Sequence, residues 1–147
     1  MSPRCRFPHC FLALVGKAKH VAQRPFTIIG RIRSFIYAVR GVATMVASQH
    51  NAWIHALATV VVGTAGFLLR LDTGEWCWVI LAIMAVWTAE ALNTALEFLA
   101  DAATPPEHPL VKRAKDVAAG AVLISAIGST IIAVLIFGPK IARLLAR

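Results

Sequence analysis

The sequence predicts an all-α membrane protein with three transmembrane helices that follow an N-terminal amphipathic surface helix. Its 147 residues are 59% hydrophobic and only 15% charged, and the mean hydropathy of +0.71 lies well above that of a soluble domain of this length. Two apolar runs, Trp76–Ala100 and Val117–Phe137, reach the length of about 20 residues that a spanning helix needs. A third run, Trp53–Leu69, is slightly short but can be completed by its neighbours. The predicted spans cover about residues 53–70, 76–101 and 116–137.

The surface helix is predicted over about residues 31–49, where apolar residues recur at helical spacing. These residues are Ile32, Phe35, Ile36, Val39, Val42, Ala43 and Val46. Arg33 and Arg40 fall on the other side, which is typical of a helix that lies in the membrane interface. A water-side extension of the first span is the alternative. Residues 1–25 are interpreted as an N-terminal extension, which leaves a single membrane domain over residues 26–147.

Positive charge is concentrated ahead of the first predicted span. Of the 15 Lys and Arg residues, eight precede it: Arg4, Arg6, Lys17, Lys19, Arg24, Arg31, Arg33 and Arg40. The positive-inside rule therefore predicts a cytoplasmic N-terminus and a cytoplasmic loop Asp101–Asp116, although Lys140, Arg143 and Arg147 argue weakly against this orientation. Since the charges lie close to spanning helices and are not interleaved with aromatic residues, the predicted partners are anionic lipid headgroups and not nucleic acid.

The second span carries a stripe of polar side chains on one helical face. Glu90, Asn93, Glu97 and Asp101 fall within about 80° of one another on a helical wheel and cover about 16 Å of helix. Placing a charge at such depth in the membrane costs roughly several kcal/mol of free energy, so these side chains are expected to face protein, water or metal. A polar seam that only joins helices is the alternative. Two or three carboxylates repel each other, however, unless a cation or a proton joins them.

The segment "HPLVKRAKDVAAG" brings basic residues to the same end of the predicted bundle. It supplies Lys112, Arg113, Lys115 and Asp116 where the third span enters the membrane. Carboxylates are hard ligands for Mg²⁺ and a lysine attracts phosphate oxygens, so the pattern favours a Mg-nucleotide site. For Lys115 and Asp116 taken alone, a solvated helix start is the alternative. No Walker loop or GxGxxG fingerprint occurs in the sequence, which excludes the soluble nucleotide-binding folds.

A small proton- or cation-conducting membrane protein is the competing hypothesis for the polar stripe. The carboxylates occupy only one half of the predicted helix, and no charged residue continues the path from Ala89 back to Trp76. A site is therefore favoured over a pore.

Ala121, Ser125 and Ser129 recur every four residues in the third span, a spacing of small residues that lets membrane helices approach closely. Because one subunit alone cannot cover so deep a stripe, a homo-oligomer is predicted.

The motif "EALNTALEFLAD" followed by "PEHPLVKRAKDVAAGAVL" resembles the signature of the prokaryotic integral-membrane diacylglycerol kinase and undecaprenol kinase family. The resemblance spans about residues 31–137. It implies a homotrimer of three-span subunits with an N-terminal surface helix, in the bacterial cytoplasmic (inner) membrane. It also implies a lipid kinase that uses Mg²⁺ and ATP to phosphorylate a membrane lipid alcohol at the cytoplasmic face, with residues 26–147 as the membrane lipid-kinase domain.

The resemblance also implies roles for the residues of the motif. Glu90 corresponds to the catalytic carboxylate that takes the proton of the lipid hydroxyl, and Glu97 to a metal ligand. The implied substrate- and nucleotide-binding residues are Asn93, Asp101, Lys115 and Asp116. The residues of the motif are more similar to those of the undecaprenol kinase branch of the family. Undecaprenol and diacylglycerol both stay open as the substrate, because either would lie along the apolar outer wall of the site.

One position departs from the commonest pattern of the family. Where a second metal-binding glutamate is often found, just before the first span, this sequence has Gln49. An amide can still offer its carbonyl oxygen to Mg²⁺, but it contributes less charge. The nearest ionisable residues, His50 and His55, are each interpreted as interfacial histidines more readily than as ligands.

Overall fold

All regular structure that the computed structural model describes, over residues 27–103 and 108–146, is α-helical. The helices are α1 (Ile28–Ser48), α2 (His50–Leu68), α3 (Thr73–Ala103) and α4 (Pro109–Leu145). Three of them, α2, α3 and α4, are long and apolar enough to cross a membrane, by length and composition. The prediction of an all-α membrane protein with three spans is thus confirmed. The predicted N-terminal extension over residues 1–25 lies outside the described residues.

The chain divides into two compact units, Met1–Ile36 and Tyr37–Arg147, and the boundary falls within α1. In the described part of the first unit, the Thr27 hydroxyl accepts a hydrogen bond from Gly30 N at 3.2 Å and caps the start of α1. In the second unit, Met45 is the one buried residue among those described in α1. The apolar face of α1 is therefore largely exposed in the single chain. Its location at the membrane surface stays a prediction.

A Schellman turn ends α2 and leads the chain into α3. Leu71 N donates to Gly66 O at 3.0 Å and Arg70 N donates to Phe67 O at 3.2 Å, which satisfies carbonyl groups at the end of the helix. Arg70 has the left-handed conformation that this turn requires, with φ at 50°. Leu71 is then buried in an apolar cluster at this end of the molecule, with Val79 of α3 among its members.

A capping box starts α3. The Asp72 carboxylate accepts a hydrogen bond from Glu75 N at 3.0 Å, and the Glu75 carboxylate accepts one from Asp72 N at 2.9 Å. The same Glu75 oxygen, Oε2, lies 2.8 Å from Lys140 Nζ and so links the start of α3 to the last part of α4. This ion pair therefore fastens the two helices to each other at this end of the bundle.

The fourth helix is longer than the predicted third span over residues 116–137. It begins at Pro109, with the His108 side chain accepting a hydrogen bond from Leu110 N at 3.3 Å, and it continues past Pro139 to Leu145. Its 37 residues correspond to about 55 Å, whereas a bilayer core is about 30 Å thick. An apolar run predicts only the part of a helix that fits inside the hydrocarbon. The helical backbone hydrogen bonds continue beyond both ends of that run.

The buried face of α3 positions the polar stripe. Val79, Ala82, Val86, Glu90 and Asn93 are all buried and follow one another at intervals of three or four residues. This is the spacing of a single helical face. The polar stripe therefore continues the face with which α3 packs against the rest of the chain. The Glu90 carboxylate consequently points into the protein and not toward lipid.

Gly66 allows α2 to approach the indole ring of Trp76. A Cβ atom added at Gly66 would lie 2.7 Å from the ring, whereas one added at Gly63 would meet nothing within 4 Å. We therefore expect Gly66→Ala to lower the free energy of unfolding by about 1–3 kcal/mol, and Gly63→Ala to cause no comparable loss. Unfolding of both variants in detergent micelles tests this. Equal stabilities would contradict the close approach.

Candidate active site

Glu90 is the side chain around which the site is built. It is 0% exposed and is the largest fully buried side chain among the described residues. Neither Oε1 nor Oε2 of Glu90 has a hydrogen-bond partner in the described part of the chain. Thr94 donates its hydroxyl to the Glu90 backbone carbonyl at 2.9 Å, and so leaves the carboxylate untouched. A buried polar group without a partner is unfavourable for folding, which favours a functional reason for its presence.

Two amide side chains hold Glu97, about one turn beyond Asn93. Asn93 Nδ2 donates to Glu97 Oε1 at 3.0 Å, and Gln49 Nε2, from the junction of α1 and α2, donates to Glu97 Oε2 at 2.8 Å. The Asn93 carbonyl oxygen is buried and has no partner among the described residues. The structure thus brings together three of the residues predicted from the sequence, from two separate parts of the chain.

Asp101 and Lys115 form an ion pair at the exposed end of the stripe. Lys115 Nζ lies 2.7 Å from Asp101 Oδ1 and joins the last part of α3 to the first part of α4. Both residues line a cavity of about 390 Å³ together with Lys112 and Asp116. Asp116 is exposed on this cavity. A lysine beside two carboxylates in a cleft can bind phosphate oxygens and a hydrated cation.

The exposure of the stripe increases steadily along α3. Glu90 is fully buried, Asn93 is 6% exposed, Glu97 is half-buried and Asp101 is exposed. Glu97 follows Glu90 by seven positions and Asp101 follows Glu97 by four, which correspond to about 10 Å and 6 Å along the helix. The arrangement separates a fully buried carboxylate from an exposed, charged cleft. Chemistry on a hydroxyl at the deep end and binding of a charged donor at the exposed end are compatible with this gradient.

His55, which the sequence suggests as an interfacial histidine, has its side chain next to Glu90. Its Nε2 lies 3.8 Å from Glu90 Oε2, and the side chains are 15% and 1% exposed. The signal for this placement is present in α2, where Ala52, His55 and Thr59 are spaced by three and four residues along one helical face. Such spacing shows that His55 shares the inward face of α2, but it does not identify the carboxylate opposite.

A magnesium site fits the residues around Glu97 in its donor chemistry. Among the described residues, no three His, Cys, Asp or Glu side chains converge as a ready ligand set. The cluster instead has one carboxylate and the two amides of Gln49 and Asn93. An amide that turns about its last torsion presents a carbonyl oxygen where it had an N–H, and carbonyl and carboxylate oxygens are the ligands that Mg²⁺ prefers.

The small residues of α4 partly serve contacts within one chain. Ser129 Oγ donates to the backbone carbonyl of Ala82 at 3.1 Å, and so joins α4 to α3. Ser129 was one of the three residues whose spacing suggested close approach to another subunit. Close packing of helices at this face is observed, but at Ser129 the neighbour is a helix of the same chain.

The described chain has three candidate membrane spans, and one of them carries the fully buried Glu90. A family model described as prokaryotic diacylglycerol kinase matches residues 36–137. The chain belongs to this family and is a lipid kinase, as the resemblance implied. The match supports an enzyme and gives no support to the alternative of an ion-conducting protein.

Two relatives are similar over most of the chain. The undecaprenol kinase of Bacillus subtilis (strain 168) is 43% identical over 109 residues, which cover 74% of this chain and 89% of that protein. The diacylglycerol kinase of Synechocystis sp. (strain ATCC 27184 / PCC 6803 / Kazusa) is 40% identical over 113 residues, which cover 76% of this chain and 65% of that protein. The chain thus matches slightly less than two thirds of the length of the second relative.

Proposed function

We propose that the protein transfers the γ-phosphate of ATP to the hydroxyl of a membrane lipid alcohol, undecaprenol or a diacylglycerol, in phospholipid or lipid-carrier metabolism. The single observation that carries the proposal is the fully buried Glu90, with two carboxylate oxygens that no described donor satisfies. In this proposal, the hydroxyl of a lipid that approaches from the membrane side supplies the missing donor. Family membership supports the lipid as acceptor, since both named relatives are lipid kinases.

Glu90 is the general base of the proposed reaction. Its carboxylate accepts the proton of the lipid hydroxyl as the hydroxyl oxygen forms a bond to the γ-phosphorus and the bond from phosphorus to ADP breaks. Because the carboxylate is fully buried, a lipid hydroxyl competes with few water molecules for it. Asn93 lies one turn away on the same face and can orient groups between Glu90 and Glu97.

The nucleotide binds at the exposed end of the stripe in this proposal. Lys115 attracts phosphate oxygens, while Asp101 and Asp116 position the lysine and hydrated cations in the cleft of about 390 Å³. Glu97 would hold Mg²⁺ with the carbonyl oxygen of Gln49 as a weaker ligand. When bound, Mg²⁺ neutralises charge on the transferred phosphoryl group and on the leaving ADP.

The proposed location is the bacterial cytoplasmic (inner) membrane, with the N-terminus and the exposed end of the stripe on the cytoplasmic side. ATP is a cytoplasmic metabolite, and Lys115 lies at the end of α4 opposite to the Glu75–Lys140 pair. Eight basic residues precede α2 and favour the same orientation. These residues are also proposed to contact anionic lipid headgroups, with α1 lying in the interface.

A homo-oligomer, a trimer by resemblance to the family, is proposed as the active form. Large apolar side chains are exposed along all three candidate spans of the single chain, for example Leu57, Leu92 and Ile124. In a membrane, such side chains contact either lipid or further subunits. Glu97 is only half-buried and Asp101 is exposed in the single chain, so a neighbouring subunit could complete the walls of the cleft.

Phosphate transfer to a panel of lipid alcohols tests the proposed function and the choice of substrate. Purified protein in nanodiscs would be given labelled ATP with undecaprenol, a diacylglycerol, or a short water-soluble alcohol. We expect a labelled lipid product with at least one of the two lipids and none with the soluble alcohol. The lipid with the higher kcat/KM identifies the substrate. Absence of transfer to every lipid would contradict the proposal.

Glu97→Gln is expected to weaken activity mainly by weakening binding of the Mg-nucleotide. The change removes one negative charge from a site in which Gln49 already replaces a carboxylate. We expect the magnesium concentration at half-maximal activity to rise by roughly tenfold, a scale typical of a lost ligand contact. Initial rates across a magnesium titration measure it. An unchanged magnesium dependence would contradict the role of Glu97 as a ligand.

The reciprocal change, Gln49→Glu, provides the matching comparison. It replaces the amide that donates to Glu97 Oε2 at 2.8 Å with a second carboxylate. The two like charges should lower thermal stability in the absence of Mg²⁺, and added Mg²⁺ should restore it and saturate at a lower concentration than in the wild type. Because stability is the readout, this test does not depend on activity.

A further inference from the structure

We propose that His55 is a positioning residue for Glu90, which orients the carboxylate and takes over the proton that Glu90 removes from the lipid hydroxyl. This inference rests on the proposed function of Glu90 as the general base. His55 Nε2 lies 3.8 Å from Glu90 Oε2, and both atoms are buried and without a hydrogen-bond partner among the described residues. The separation is too long for a hydrogen bond, but a small movement of either side chain closes it.

The two unpartnered groups match each other chemically. A carboxylate accepts hydrogen bonds, and an imidazole nitrogen either donates or accepts, depending on where its proton lies. Leaving both unsatisfied in the interior is unfavourable, whereas a hydrogen bond between them satisfies both. The pair is therefore open in the protein as described and is expected to close when a proton reaches Glu90.

Neighbouring contacts hold His55 at the level of Glu90. Trp87 Nε1 donates to Thr59 Oγ1 at 3.0 Å, and Thr59 Oγ1 donates to the backbone carbonyl of His55 at 2.7 Å. Trp87 precedes Glu90 by about one turn of α3, and Thr59 follows His55 by one turn of α2. The two hydrogen bonds therefore fix the height of α2 against α3 next to the pair.

A mostly apolar cavity borders His55, and α4 forms part of its lining. The cavity has a volume of about 310 Å³ and lies among α2, α3 and α4. Its remaining described lining holds no other titratable group; α4 contributes small or aliphatic residues and the hydroxyls of Ser129 and Thr130. Glu90 is thus the charged group that faces His55, and no second acid or base along this cavity is placed to replace it.

The proton balance of the step is simple. The lipid O–H bond breaks as its oxygen bonds to the γ-phosphorus, the proton goes to a Glu90 oxygen, and it then moves to His55 Nε2. The products are an imidazolium beside a carboxylate, which attract each other in the low-dielectric interior. Release of the proton to water then resets both groups for the next turnover.

The test uses His55→Ala and His55→Gln in the full-length protein, with free imidazole as a probe. We expect His55→Ala to lower kcat by roughly tenfold, less than the loss of the general base itself, with the KM for ATP little changed. Imidazole should restore the turnover of His55→Ala in proportion to its concentration, since the cavity of about 310 Å³ has room for the ring. His55→Gln keeps a hydrogen-bond donor but cannot carry a proton, so its kcat should stay reduced and should not respond to imidazole.

Ile54→Ala is the matched control. Ile54 precedes His55, lines the same cavity and is 58% exposed, so the change enlarges the cavity without touching Glu90. Its activity should stay near that of the wild type and be indifferent to imidazole. His55→Ala without rescue, or folded His55→Gln with turnover near that of the wild type, would overturn the role of His55. If the wild type itself transferred no phosphate to any lipid alcohol, the proposed function would fail instead.

Discussion

Glu90→Gln is expected to lower the turnover of phosphate transfer by about 10²–10⁴-fold, the contribution typical of a general base. The amide keeps the shape of the side chain but cannot accept a proton. Glu90 is fully buried, and no described donor satisfies its carboxylate oxygens. Removing this charge should therefore leave the fold as stable as in the wild type or slightly more stable, because an unsatisfied buried charge opposes folding.

The loss should lie in kcat and leave binding of Mg-ATP unchanged. Glu90 is separated from Glu97 by about 10 Å along α3, and from the Lys115 cleft by more. Initial rates over ATP and lipid concentrations, with nucleotide binding measured separately, distinguish the two effects. Glu75→Gln is the matched control, since it makes the same change near the other end of the same helix and should retain turnover. A folded Glu90→Gln with turnover within a few fold of the wild type would leave the stripe as a structural seam.

Lys115→Met is the second change for which a large effect is expected. It removes the positive charge that the proposal places against the phosphates of ATP, while keeping the apolar part of the side chain. We expect kcat/KM for ATP to fall by roughly 10- to 100-fold, because charge-assisted contacts to phosphate are strong and strengthen as charge develops on the leaving group. Steady-state rates at varied ATP concentration measure the change.

The stability of Lys115→Met separates a role in binding from a role in folding. The pair of Lys115 and Asp101 is solvent-exposed, and exposed ion pairs contribute little to stability. Lys140→Met is the matched control, because Lys140 forms a similar ion pair with Glu75 at the opposite end of α3 and α4. We expect both variants to remain folded and only Lys115→Met to lose activity. Equal activities would contradict nucleotide binding at Lys115.

The candidate spans could be predicted from the sequence because hydrocarbon thickness sets a minimum apolar length. The helix ends could not, since backbone hydrogen bonding continues where apolar character stops. Thus α4 runs from Pro109 to Leu145, beyond both ends of the predicted span. The polar stripe was predictable for a different reason: Glu90, Asn93 and Glu97 lie on one helix, so the helical repeat alone places them on one face.

Partners that come from different helices were not predictable in the same way. The hydrogen bond of Gln49 to Glu97 and the approach of His55 to Glu90 depend on how α2 is rotated and shifted against α3. A single sequence indicates which face of each helix points inward. It does not indicate how far one helix is shifted along the other. Ser129 shows the same limit, because small-residue spacing predicts close helix packing without identifying which helix is the neighbour.

The most direct test of a lipid kinase with Glu90 as its base is a single-turnover experiment with purified protein in nanodiscs. Excess enzyme would be mixed with γ-labelled ATP, Mg²⁺ and the lipid alcohol that the panel identifies, and the labelled lipid would be followed over time. We predict that the wild type transfers the label to the lipid and that Glu90→Gln binds the nucleotide but transfers the label about 10²–10⁴-fold more slowly. Transfer by Glu90→Gln at the rate of the wild type, or no labelled lipid from either protein, would contradict the account.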